Sequence, residues 1–150
     1  MGTANKDPIF TGQPDIQWGI QDGNTGPTGP LITANTAMDG TGSVTTVFTA
    51  DATNGGFIRE LRVRAVGTNS SASCLRLFIN NGSTNATKSN NTLIDEINLG
   101  ASTASNSSSQ VPLVIPLNFA LPAGYKLNVT VGVSGTGGWQ VTAIGGKYTY

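Results

Sequence analysis

The chain has 150 residues, its eight basic side chains balance its eight acidic ones, and charged residues make up only 11%, which excludes a general electrostatic attraction to nucleic acid or to an anionic membrane. Histidine is absent, which removes the commonest general base together with the usual catalytic triads and zinc sites, and one cysteine cannot form an intrachain disulfide. Twenty glycines, abundant Thr, Ser and Asn and few long helix formers describe an all-β protein rich in turns, of a size that buries roughly 70% of its unfolded surface in one core.

Residues 1–42 hold no period, and Pro8, Pro14, Pro27 and Pro30 interrupt any regular element. The segment reads as an extended arm. Ile9, Phe10, Ile16, Trp18 and Ile20 need burial that a flexible linker does not provide, so these five are the candidate partner-binding residues. Fully extended, such an arm reaches roughly 130 Å, enough to cross a neighbouring subunit. Gly23, Gly26 and Gly29 open three Gly-X-Y triplets with Pro27 and Pro30; these are too few for a collagen helix and read as turns, with a hint of threefold association. The first residues lack the apolar stretch of a secretion signal, so the chain is expected to be made and folded in a cytoplasm, and its six Asn-x-Ser/Thr triplets read as loop composition.

Residues 43–150 read as a single β-domain. Ser43–Ala50, Phe57–Val66, Cys74–Ile79, Thr92–Leu99, Val111–Leu121, Tyr125–Val133 and Trp139–Ile144 are the strand candidates, with Leu31–Ala37 as a weak eighth. In Phe57–Val66, Leu61, Val63 and Ala65 share one face against Glu60, Arg62 and Arg64. The clearest alternation runs through Val111, Leu113, Ile115, Leu117, Phe119 and Leu121 and resumes after Pro122-Ala-Gly124 in Tyr125, Leu127, Val129, Val131 and Val133, which predicts a hairpin with all these positions buried. Pro112 and Pro116 predict that the first of these strands lies at a sheet edge or carries a bulge. About eight short strands without helices between them favour an antiparallel β-sandwich, with an eight-stranded jelly roll as the expected architecture.

No residue set proposes a reaction, a metal or a cofactor, and the chain reads as a non-enzyme. Asp95 and Glu96 are adjacent, and on a regular strand neighbours point to opposite faces. Asp22-Gly-Asn24 and Asp51 with Asn54 lack calcium-loop spacing and read as Asx turns. The glycines between Gly132 and Gly138 precede neither the Lys-Ser/Thr nor the helix of a phosphate loop. Cys74 reads as a small buried core residue. Arg59, Arg62, Arg64 and Arg76 fall in two strands expected to lie near one another; they form an ion-paired face with Glu60, Asp95 and Glu96 as partners, or subunit-interface anchors if that face is covered. Trp139, Tyr125, Tyr148 and Tyr150 read as core or interface aromatics, with a sugar-stacking platform as the alternative.

The strings Phe57-Ile-Arg-Glu-Leu-Arg-Val-Arg-Ala-Val-Gly-Thr-Asn69, Leu75-Arg-Leu-Phe-Ile-Asn-Asn-Gly82, Leu117-Asn-Phe-Ala-Leu-Pro-Ala-Gly-Tyr125 and Trp139-Gln-Val-Thr-Ala-Ile-Gly-Gly-Lys-Tyr148 resemble small structural proteins of tailed bacteriophages and prophages. The resemblance covers residues 44–148 and lies in phrase and texture. It implies a virion protein: a jelly-roll decoration (cement) protein that is made in the bacterial host and sits as a homotrimer on the capsid exterior. Its partners would be the major capsid protein and further copies of itself, with the arm contacting either. The alternative is a receptor- or carbohydrate-binding tip of a tail fibre or spike.

Overall fold

Alternation along each segment produces eight strands among the described residues, which are 13–17, as backbone, and 30–148 of the computed structural model. They are β1 (Gln13–Gln17), β2 (Thr45–Thr49), β3 (Gly56–Ala65), β4 (Ser73–Asn80), β5 (Asn91–Leu99), β6 (Leu113–Leu121), β7 (Lys126–Val131) and β8 (Trp139–Lys147). Every pairing is antiparallel, and the pairings are nested: β1 with β8, β2 with β7, β3 with β6 and β4 with β5. Two further pairings, β3 with β8 and β4 with β7, join these hairpin-like pairs into sheets of order β1-β8-β3-β6 and β2-β7-β4-β5. A long antiparallel ribbon folded over on itself in this way is the jelly roll. Among the described residues no helix is long and apolar enough to cross a membrane.

The inward faces supply one core. Ile58, Leu61 and Val63 of β3 and Val141 and Ala143 of β8 meet Phe48 of β2, Leu75 and Leu77 of β4, and Leu127, Val129 and Val131 of β7, all fully or almost fully buried. Pro116 of β6 and Pro112 just ahead of the strand have the expected consequence. β6 is an edge strand, and its ladder to β3 shifts where Ile58 and Glu60 face Phe119 and Pro116, leaving an extra residue on β6. The bulge puts Asn118 at φ 52, a left-handed conformation that Asn tolerates better than most residues.

Three sequence expectations are corrected. Pro122-Ala-Gly124 closes no hairpin: the turn itself forms, with the Tyr125 amide donating to the Pro122 carbonyl, but it carries the chain from β6 in one sheet to β7 in the other. Alternation reports which side chains face inward, and strands of both sheets face the same core. Leu31–Ala37 is no strand, since it makes only isolated bridges, Leu31 to Trp139 and Ala34 to Val131; the first strand is Gln13–Gln17. The alternation through β6 also runs out at its start, where Val111 is 89% exposed and Leu113 lies half in the open.

Part of the segment read as an arm therefore lies on the sandwich. β1 occupies the free flank of β8 from Lys147 to Ala143, and Leu31 exchanges two backbone hydrogen bonds with Trp139 further along β8. Gln17 and Leu31 thus meet β8 at points only four positions apart, at Ala143 and Trp139, roughly 13 Å. Ile9, Phe10, Trp18 and Ile20 lie outside the described residues, as do the Gly-X-Y triplets, Asp22 with Asn24, and Tyr150; Ile16 is described as backbone opposite Ile144.

Side chains of equal apolarity on β6 should thus differ sharply in what they contribute. Ile115→Ala is expected to lower the unfolding free energy by about 2 to 5 kcal/mol, and Val111→Ala to change it by less than about 0.5 kcal/mol, both read from urea denaturation.

Candidate interaction surface

Outward side chains of β3 form one charged row. Glu60 Oε1 accepts from Arg62 Nε at 2.9 Å and from Arg59 Nη2 at 3.2 Å, and both guanidinium groups stay largely exposed. The hydrogen bond from Arg62, with help from Arg59, holds the Glu60 carboxyl below its ordinary 4.5 against a smaller desolvation effect. Further along the strand, Arg64 Nη2 donates to the Gln110 carbonyl at 3.2 Å. Exposed pairs of this kind add little stability, and they leave a basic, solvated face on the outside of this sheet.

Arg76 is elsewhere. β3 and β4 belong to different sheets, so their outward side chains point to opposite sides of the sandwich, and the expected four-arginine cluster divides into three and one. Arg76 is only 7% exposed: its Nε donates to Glu96 Oε1 at 2.7 Å and its Nη1 to the Asn35 carbonyl at 3.3 Å. The outer face around it is buried as well, with Phe78, Asn80, Asn128 and Thr130 almost inaccessible although they point away from the core. Residues 34–43 lie over this face. Asn35 fastens them: its amide donates to Val131, its Nδ2 donates to the carbonyls of Thr41 and Ser43, both at 2.8 Å, and its Oδ1 accepts from the Ala37 amide at 2.9 Å. Beyond it, Asn85 Nδ2 donates to the carbonyls of Gly40 and Gly42.

A second buried asparagine secures one end of the barrel. Asn69 is fully buried, with Oδ1 accepting from the Gly138 amide at 2.8 Å and Nδ2 donating to Ser102 Oγ and the Gly138 carbonyl. The glycine-rich turn after β7 exists to allow this closeness: a Cβ on Gly137 would lie 2.6 Å from the Gly67 backbone. Asn69 and Asn128 both belong to Asn-x-Ser/Thr triplets, and their burial makes them structural residues of the folded chain. Nothing in the triplet pattern separates these asparagines, or Asn35, from ordinary turn residues, which is why sequence reasoning passed over them.

The other candidates are placed as follows. Asp51 forms an Asx turn, its Oδ1 accepting from the amides of Thr53 and Asn54, and these two bonds hold its carboxyl below the ordinary 3.8. Asp39 is lowered in the same way by the hydroxyl and amide of Thr41. Asp95 and Glu96 are both exposed on the edge strand β5, where Asp95 pairs with core-facing Leu77 and Glu96 with outward Arg76, and the ladder to β4 carries a bulge at Ile94. Cys74 is half-buried. Trp139 is 8% exposed within the core cluster and Tyr125 packs against it, so among the described residues these two build no aromatic platform. No group of three or more Cys, Asp or Glu among the described residues could hold a metal ion.

Of the exposed large apolar side chains, Val111, Leu113 and Val114 lie together at the start of the edge strand β6, with Val66 on the loop after β3, and Ile32, Met38, Leu93 and Val133 are exposed as well. Beside the β6 side chains, where β5 passes to β6, a groove of about 400 Å³ runs between Leu99, Val111, Pro112 and Leu113 and reaches in to Ala65 and Trp139.

No protein-family model matches the chain, and no curated protein matches it. Among solved structures, a chain of the T13 particle of infectious bursal disease virus is similar with a TM-score of 0.35 and 14% identity, over 97% of this chain and 35% of that one. A chain of the Gt strain of the same virus gives a TM-score of 0.30 and 13% identity, over 97% of this chain and 36% of that one. The chain spans about a third of the length of the solved chains it matches, and at this level of likeness nothing of their function transfers.

Asn35→Ala removes one acceptor and two donations from a covered site and should destabilise the protein by about 1 to 3 kcal/mol, whereas Arg62→Ala on the open face should change stability by less than about 1 kcal/mol; urea unfolding separates the two. Asp39, Asp51 and Glu60 all have lowered carboxyls, so their stabilisation is complete above the ordinary values of 3.8 and 4.5 and is lost as the pH falls through the lowered ones. Asp51→Asn should accordingly flatten the acid limb of a plot of melting temperature against pH.

Proposed function

We propose that this protein is a non-enzymatic virion structural protein that decorates and stabilises the exterior of a tailed-phage capsid as a homotrimer, with residues ahead of β1 contacting the major capsid protein or a neighbouring copy. The observation that carries the reading is the division of the surface. The outer face of β7 and β4 is covered by the chain's own residues 34–43, while the apolar side chains Val111, Leu113 and Val114 stay open together along one edge of the other sheet. A sandwich with such an apolar margin suits a building block that adheres to an assembly. The phage-like phrases of β3, β4, β6 and β8 support the same reading, and so does the stretch Pro8-Ile9-Phe10, whose apolar side chains bury surface on a partner. Against the carbohydrate-tip alternative stands the burial of Trp139, which is only 8% exposed.

Deleting residues 1–12, which leaves β1 in place, should yield a folded β-protein that no longer co-sediments with particles of the source virus. Undiminished co-sedimentation would defeat the role given to this segment. Quantitative mass spectrometry of purified particles should find the protein in simple proportion to the major capsid protein; a few copies per particle would place it in the tail instead.

A further inference from the structure

The groove beneath the β5–β6 connection has features of a receptor for an extended apolar segment. Its apolar lining is Leu99 from β5, Val111, Pro112 and Leu113 leading into β6, and Ala65 and Trp139, beside the polar Asn98, Ser102, Ser109 and Gln110, and its volume of about 400 Å³ lies in the range of about 300 to 1,000 Å³ typical of ligand sites. Pro112 and Pro116 take two N–H groups away from this edge, so recognition rests on side chains entering the groove and not on a continuous ladder.

We infer that this groove receives Pro8-Ile9-Phe10 from a second copy of the chain. The inference rests on the reading that residues ahead of β1 bind a partner, and it names where on the partner they bind. Chain geometry decides between the same copy and another. Gln13 is held opposite Lys147, while the groove is lined by Trp139, eight positions away along β8 and so roughly 27 Å distant, before the lateral distance from β1 to β6 across the sheet is added. Phe10 lies three residues from Gln13 and Ile9 four, which gives them a reach of at most roughly 14 Å. The segment cannot enter the groove of its own sandwich, so only a neighbouring copy can supply it. Because donor segment and receiving groove are different surfaces, the contact is head to tail, and it closes into a ring when successive copies are related by a rotation.

Two full-length variants in a Cys74→Ser background test this, one carrying Phe10→Cys and the other Val111→Cys with a mass tag. Mixed and oxidised in the absence of virus particles, they should form the tagged mixed dimer in several-fold higher yield than Phe10→Cys mixed with Met38→Cys, a control at an exposed residue on the covered outer face of the other sheet. In parallel, Phe10→Asp should shift the sedimentation coefficient of the otherwise unmodified chain to that of a monomer. Equal yields with Val111→Cys and Met38→Cys, or a wild-type chain that sediments as a monomer, would overturn the inference. If particle binding still requires residues 1–12 when the mixed dimer does not form, the decoration role survives and the groove assignment fails. A preferential mixed dimer from a protein that never binds particles supports the groove assignment and removes the decoration role.

Discussion

The free flank of β8 is the constraint on which the rest of the molecule depends. β3 occupies its other side, and the flank itself is taken first by β1 and then by Leu31, whose two backbone hydrogen bonds to Trp139 return the chain to the sandwich. Once Leu31 is fixed there, Asn35 is positioned to accept Arg76 and donate to Thr41 and Ser43, and the segment that follows lies over the outer face of the second sheet. A single strand thus sets the edge of one sheet and the cover of the other.

That cover explains an unusual burial pattern. Outward positions of a sandwich strand are ordinarily polar and wet, yet Phe78, Asn80, Asn128 and Thr130 are sealed. Burying Arg76 among them is tolerable because its charge is met by Glu96 and a second donor reaches the Asn35 carbonyl. The polar neighbours are matched in part the same way, with Thr46 Oγ1 donating to Asn128 Oδ1 and Asn80 Nδ2 to Asn91 Oδ1. The basic row on β3 and the apolar margin of β6, by contrast, lie open.

The jelly roll also separates residues that sequence neighbours would share. All consecutive strands from β2 onward lie in opposite sheets except β4 and β5, so a local motif spanning two strands is split between two sides of the molecule. The arginines of β3 and β4 show the consequence: Arg59 and Arg62 gather on Glu60 at an open surface, while Arg76 becomes an internal tie. Strands from both sheets come together at the corners, as they do at Ala65, Leu99, Leu113 and Trp139.

By itself the sequence determined which side chains face inward, because the period of two in Leu61 and Val63, Leu75 and Leu77, or Leu127, Val129 and Val131 follows from strand geometry alone. It also determined that β6 lies at an edge or carries a bulge, since Pro112 and Pro116 cannot donate to a ladder and act wherever the strand is placed, and the strand does both. Only the tertiary structure decided which strands are neighbours, because a turn such as Pro122-Ala-Gly124 serves equally within a sheet or between sheets, and long-range pairing is settled by the closing of the core. The candidate surface was legible only in part for the same reason. Val111 carries the alternation of a core residue and loses burial because the sandwich ends before it, while Asn35 and Asn69 look like turn residues and become buried hubs through partners far away in the chain.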